Sequence, residues 1–243
     1  MVQMLISAAA HRVNFLSVNY TTAYFLCIAA FIFALICSAN VKSTFNKYNR
    51  VGSRRGITAA EVARRILDRN GLYNVQVVRI SGNLTDNFNP KTNIVSLSES
   101  VYDSTSLAAI GVAAHECGHA VQHQVGYVPI KIRNGIVPVV NICNALSMPL
   151  FIIGLILGIG QLAMAGAILF GAVLVFQLVT LPTEINASRR AMKTLESMYI
   201  LEGDELKGAR KTLTAAAMTY VAAVAATALQ FLRLVLLANR RRD

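Results

Sequence analysis

The chain has 243 residues, of which 55% are hydrophobic and only 14% charged, with no tryptophan and a net charge of +11. A soluble domain carries about 25% charged residues, so this composition argues against an ordinary soluble protein and for a membrane protein. The 23 Lys and Arg outnumber 12 Asp and Glu, but they flank apolar runs and accompany no nucleic-acid-binding motif, which argues against a nucleic-acid partner and for cytoplasmic edges of membrane helices.

Residues 23–39 (AYFLCIAAFIFALICSA) carry no charge and, with their polar flanks, are just long enough to span a bilayer, which takes about 20 residues. They start too late, and lack the cleavage pattern, for an ordinary signal peptide. Residues 41–56 follow with five Lys or Arg and no acid, whereas residues 1–22 hold only Arg12. The positive-inside rule puts the N-terminus outside and residue 41 onward in the cytoplasm.

Residues 57–70 read as a short soluble helix, with Thr58 and Glu61 at capping-box spacing and Ala59, Val62, Ala63, Ile66 and Leu67 on one apolar face. Gly71 and Leu72 are a helix stop. Residues 75–80 and 94–98 read as two strands that pair as a small hairpin or a sheet edge, joined by a turn-rich segment. A helix is expected from about Ser104 to Val125, ended by Gly126 and Pro129.

Residues 138–181 are almost uncharged, and Pro138, Pro149 and the GIG at 158–160 break them up. That length suits two spanning helices and a tight turn. Lys131 and Arg133 before it, and Arg189, Arg190 and Lys193 after it, put both ends in the cytoplasm. The last apolar run, 213–238, contains Arg233 and is open to three readings: it spans, lies along the membrane, or packs over the soluble part. Apart from Arg233 the apolar runs hold no charged residue to line a path, which argues against a channel or transporter. Of the four cysteines, Cys27, Cys37 and Cys143 read as small buried hydrophobes, and the spacing suggests no disulfide framework.

The chemistry sits in AAHECGHAVQH, residues 113–123. On a helix, positions i and i+4 share a face about 6 Å apart, so His115 and His119 can offer two imidazole nitrogens to one ion. Glu116 lies on the same turn and can reach a metal-bound water, whose pKa a zinc ion lowers to about 7. With four histidines and seven glutamates in the chain, this pattern arises by chance about two times in a thousand. A catalytic zinc needs a third protein ligand and an open position. His123 is eight residues from His115, about 12 Å along the axis, and the residues after His119, AVQH, lack the glycine that breaks the helix in an H-x-x-G-x-x-H pattern. It reads as a helix-face or supporting residue. Glu184 is the better candidate. Pro182 fits the first turn of a new helix after the membrane hairpin, Glu184 lies in that turn, and the hairpin returns to the side of His115 and His119.

These segments, together with NKYN, TAAEVARRILDRNGLYNVQV, VSLSESVYDSTSLAAIGVAAHE and LTAAAMTYVAA, resemble the YugP-type membrane zinc metallopeptidases over nearly the whole chain from about residue 40. More distantly the chain is similar to the HtpX heat-shock protease and the CAAX prenyl endopeptidase. The resemblance implies His115, His119 and Glu184 as ligands of one Zn2+ per chain and Glu116 as general base, a gluzincin-like His-Glu-x-x-His plus distal Glu. Ala187 matches that clan's Glu-x-x-Ala-Asp, but Ser188 stands where the clan has the Asp that orients a ligand histidine. Asn186, Arg189, Arg190 and His123 are the nearby donors to consider for the oxyanion. The strand 94–98, expected at a sheet edge, would bind substrate by β-addition.

The expected fold class is a mainly α membrane protein with three to four transmembrane helices. It adds a small zincin-like α+β cytoplasmic unit holding a short strand hairpin and the His-Glu-x-x-His helix. The parts run 1–40 (N-terminal segment and first span), 41–137 (zincin-like part), 138–181 (membrane hairpin), 182–212 (third-ligand helix) and 213–243 (apolar helix and basic tail). The expected function is hydrolysis of peptide bonds in membrane or membrane-proximal proteins, in a multi-pass protein of the cell membrane whose site faces the cytoplasm. The partners are a protein or peptide substrate and the lipid bilayer. The alternative is a metal-binding scaffold that regulates a partner and cleaves little; a deletion phenotype rescued by Glu116→Gln would favour it.

Overall fold

A computed structural model describes residues 20–239 of the chain. The expected orientation of the N-terminal segment around Arg12, and the basic tail at 240–242, lie outside the described residues. The described elements are α1 (Tyr20–Tyr48), α2 (Ala59–Arg69), β1 (Gln76–Ile80), β2 (Asn87–Asn89), β3 (Ile94–Ser98), α3 (Leu107–Gln124), α4 (Val128–Ile156), α5 (Gly160–Ser197) and α6 (Gly203–Asn239). Four of them, α1, α4, α5 and α6, are long and apolar enough to cross a membrane, so the run 213–238 belongs to a continuous helix of spanning length.

The chain forms two compact units. One takes the described parts of Met1–Phe33 and Val224–Asp243 together with Val139–Val175; the other takes Ala34–Pro138 and Phe176–Ala223. In the first, Phe25, Phe31, Ile156 and Leu157 are each more than 60% exposed, as lipid-facing side chains are. Its interior is made of small residues. A Cβ on Gly166 would lie 2.6 Å from the Ser147 carbonyl oxygen, and one on Gly154 would strike the backbone of Ala163. The two arms of the α4–α5 hairpin thus touch backbone to backbone, the small-residue packing that joins helices where lipid removes the hydrophobic drive. Arg233 places its guanidinium 5.4 Å from the ring centre of Tyr24, a cation–π contact suited to a charge in an apolar setting. The cysteines are all unpaired; Cys37 and Cys117 are buried, but Cys27 and Cys143 are partly exposed.

The second unit holds the main core. Thr58 caps α2 in a complete capping box with Glu61, and Ala59, Val62, Ala63, Ile66 and Leu67 are the buried face. They pack with Val95 and Leu97 of β3 and with Ala109, Ala113 and Cys117 of α3. Ser106 caps α3 by accepting from the Ala109 N–H at 3.1 Å, and Gly126, at φ 65°, ends it.

The sheet differs from the expected hairpin. Its order is β1-β3-β2, with β1 parallel to β3 and β2 antiparallel to β3. The turn-rich segment itself contains the hairpin partner: Asn93 adopts φ 55°, the Lys91 N–H donates to Asn89 Oδ1 at 2.9 Å, and this tight turn folds β2 back on β3. The antiparallel slot is thereby filled, and β1 pairs in parallel on the opposite side. β3 is therefore the central strand, not an edge, and has no free row of backbone groups to offer a substrate; β2 has one.

Two proline expectations also change. Pro138 and Pro149 lie within α4, and Pro182 lies inside α5 rather than at the start of a new helix. Glu184 is accordingly in a helix interior, not a first turn. Thr180 and Thr183 donate their hydroxyls to the carbonyls of Phe176 and Val179, at 2.8 and 3.2 Å. These bonds fall on the carbonyls to either side of Leu178, the residue whose carbonyl Pro182 leaves without its helical donor.

Candidate metal centre

The second unit brings His115, His119 and Glu184 together: one ligand atom from each lies within 4.8 Å of the others. His115 and His119 stand one turn apart on α3, with ring centres 4.7 Å apart and planes at 86°. Glu184 comes from α5. Its Oε2 lies 3.3 Å from His115 Nε2 and 3.4 Å from His119 Nε2. An ion bound tetrahedrally at about 2.0–2.1 Å sets its ligand atoms about 3.3–3.4 Å apart. The carboxylate oxygen thus stands from each nitrogen at the spacing of a tetrahedron's edge.

A glycine permits this meeting. A Cβ on Gly118 would lie 2.7 Å from the Ala187 carbonyl oxygen, so α3 and α5 approach with only a hydrogen between them. Burial does the rest, since Glu116 and His119 are each 8% exposed and Glu184 3%.

Each histidine is held through its other nitrogen. His115 Nδ1 lies 3.0 Å from Ser188 Oγ, so the serine fills the orienting position that the sequence left in question. His119 Nδ1 lies 3.0 Å from Gln122 Oε1. The Gln122 amide in turn donates to the Thr183 carbonyl at 2.8 Å and to Asn186 Oδ1 at 3.0 Å. Gln122 Oε1 only accepts, so it favours the proton on His119 Nδ1, and the Ser188 hydroxyl can accept from His115 Nδ1 in the same way, the tautomer that frees each Nε2 for a metal.

Burial pushes the Glu116 carboxyl above its ordinary range, and the neighbouring imidazoles only partly oppose it. Burial pulls the His119 imidazole down, but the hydrogen bond it donates to the Glu184 carboxylate, the Glu116 and Glu184 charges and the bond to Gln122 outweigh it, and the net shift is upward. Asp86 is also pushed up by burial, against hydrogen bonds from the Ser98 N–H and hydroxyl. Burial drives the Cys117 thiol up, which makes it an inert core group rather than a nucleophile.

Two cavities meet at the triad. One of about 180 Å³ is polar and is walled by Asn87 and Phe88 of β2, Arg133 and Asn134 of α4, and Tyr220 of α6. The other, of about 190 Å³, is mostly apolar and runs past Val112, Leu213, Ala216 and Ala217. The donors considered from sequence stand elsewhere. Arg190 is tied to Asn186 at 2.8 Å, Arg189 lines a different groove, and the His123 ring packs 6.1 Å from Phe88. Sequence reasoning missed Gln122, Arg133, Asn134 and Tyr220. Only Gln122 carried a signal, three residues after His119 on the same helix.

Residues 23–239 match the family described as "Putative neutral zinc metallopeptidase". The chain belongs to this family. It is also 46% identical over 219 residues to the "Putative membrane protease YugP" of Bacillus subtilis (strain 168), covering 90% of this chain and 97% of that protein. No solved structure matches. The zinc that the family name implies fits the donor set here, since two imidazoles and a carboxylate are ordinary zinc ligands that leave a fourth position open.

Proposed function

We propose that this chain is an integral-membrane zinc endopeptidase that hydrolyses peptide bonds of membrane or membrane-proximal proteins on the cytoplasmic side. The observation that carries this reading is the convergence of His115, His119 and Glu184 ligand atoms within 4.8 Å, with Glu184 Oε2 3.3 and 3.4 Å from the two Nε2 atoms and Glu116 on the wall of the same cavity. His115, His119 and Glu184 would hold one zinc ion, in a gluzincin-like arrangement on a zincin-like unit. The bound zinc supplies a Lewis acid for the scissile carbonyl and a water with a pKa near 7.

The chain's own residues do the rest. Glu116 takes a proton from that water and passes it to the leaving amine. Ser188 and Gln122 keep both imidazoles in the ligating tautomer. The free edge of β2, on the cavity wall through Asn87 and Phe88, pairs with the substrate backbone by strand addition. Arg133, Asn134 and Tyr220 supply hydrogen-bond donors where negative charge develops on the carbonyl oxygen.

The test is Glu116→Gln in the detergent-purified full chain. Metal content is expected to stay near one zinc per chain while hydrolysis falls about 10²–10⁴-fold, the usual contribution of a general base. Undiminished hydrolysis would remove Glu116 from the mechanism. The orientation is tested by single cysteines at positions 50 and 159 in a background without the native ones. An impermeant thiol reagent added outside whole cells is expected to spare position 50, and labelling there would reverse the topology.

A further inference from the structure

The apolar cavity at the triad does not end there. Ser188, Leu213 and Ala217 also line a groove of about 360 Å³ between α5 and α6. Its walls carry two cations, Arg189 from α5 and Arg210 from α6. Both are exposed, and neither has a hydrogen-bond or ion-pair partner among the described residues. The nearest acids of α6 are already engaged: Asp204 pairs with Lys207 at 2.8 Å, and Glu205 accepts from the Arg54 N–H at 2.6 Å. The groove that carries the two uncompensated guanidiniums thus adjoins the cavity at the metal ligands across Ser188, Leu213 and Ala217.

Basic residues at a membrane edge need no ligand to explain them. What sets these two apart is that they share one groove and that the groove shares Ser188, Leu213 and Ala217 with the cavity at the metal ligands. An arginine fork matches a carboxylate in geometry as well as charge.

We propose that this groove selects the substrate: it takes a polypeptide with an apolar side chain beside the scissile bond and a carboxylate further along, held by Arg189 and Arg210. The proposal rests on the metal-site reading above. Glu184 and Arg189 are five residues apart on α5, about 7.5 Å along the axis. Adding the arginine side chain, an extended substrate at about 3.3 Å per residue places its carboxylate about three or four residues from the reacting carbonyl. Ala216 and Ala217 limit the size of the apolar side chain.

The probes are pentapeptide hydroxamates, built in both directions, with Leu beside the zinc-binding group and Asp or Asn at the fourth position. Their affinity is measured on the zinc-loaded full chain in neutral detergent. The Asp probe is expected to bind about tenfold tighter than the Asn probe. The preference is expected to vanish in Arg189→Ala/Arg210→Ala and to return at least in part in Arg189→Lys/Arg210→Lys. Ala216→Phe is expected to weaken the Leu probe and leave a Gly probe unchanged. Equal binding of Asp and Asn probes to the wild type, or a preference that survives the double Ala variant, overturns the proposal. So does loss of the preference when phosphatidylglycerol is added to the micelles, which would assign the groove to a lipid headgroup. If acetohydroxamate itself fails to bind, the metal-site reading falls and this one with it. If it binds and the Asp preference is absent, only the present inference falls.

Discussion

The two histidines of the metal centre are equivalent in sequence and unequal in structure. His119 is backed by Gln122, whose side chain is fully buried and bonded to Thr183 and Asn186, with Arg190 bonded to Asn186 in turn. One network from two helices fixes that ring. His115 is backed by the single hydroxyl of Ser188, and its side chain is 15% exposed against 10% for His119. A motif therefore names its ligands without saying how firmly each is held. The firmness comes from residues outside it and from the carboxylate of α5 that both rings share.

The largest effect is expected from breaking what they share. Glu184→Ala removes the only acidic partner of both rings among the described residues, and metal affinity should fall well beyond the roughly 100-fold that an orienting bond accounts for. Zinc content of the purified variant measures this, and full zinc would return attention to another ligand such as His123. Gln122→Leu comes next. It frees His119 to rotate and leaves Asn186 Oδ1 with Arg190 as its remaining donor, and a loss of about 10–100-fold in zinc affinity is expected. Ser188→Ala should cost about tenfold or less, because one exposed-side hydroxyl is removed. Ser188→Asp should tighten binding, because a carboxylate accepts the Nδ1–H more strongly. If Ser188→Ala costs as much as Gln122→Leu, the asymmetry between the two rings is wrong.

A smaller and graded effect is expected from pH. The His119 imidazole is raised above the ordinary 6.5 in the metal-free site by its carboxylate neighbours. A proton on a ring that must ligate competes with the metal, so affinity is full above the raised pKa and falls as pH drops through it, about tenfold per unit for each proton displaced. The loss should therefore begin above pH 6.5, and zinc retention across a pH series reads it directly. Retention unchanged down to pH 5 would remove His119 from the ligand set.

Much of this was legible in the chain before any coordinates. The capping box at Thr58 and Glu61, the buried face of α2 and the stop at Gly71 are local facts, fixed by backbone donors within one turn and by the period of a helix. The four apolar runs follow from hydrocarbon thickness alone. The spacing of His115 and His119 sets their shared face wherever the helix packs. The errors arose where the outcome depended on what a segment meets. Strand propensity marked 75–80 and 94–98 but could not tell which neighbour each would find, and three residues of an Asn-rich turn took the place expected of β1. Pro182 reads as a helix start by its own chemistry, yet threonine back-bonds and packing carry α5 through it.

The sequence by itself determined the membrane class, the apolar runs and the histidine pair with its glutamate, because each is set by periodicity and polarity within a few turns. Only the tertiary structure decided that β3 is central and that β2 is the edge strand on the cavity wall. Only it decided that Gln122 rather than His123 supports the site, and that Arg133, Asn134 and Tyr220 stand around it. Those outcomes depend on the close approach of α3 and α5 at Gly118 and on where separate helices bring their side chains, and no spacing along one chain segment encodes a contact between two.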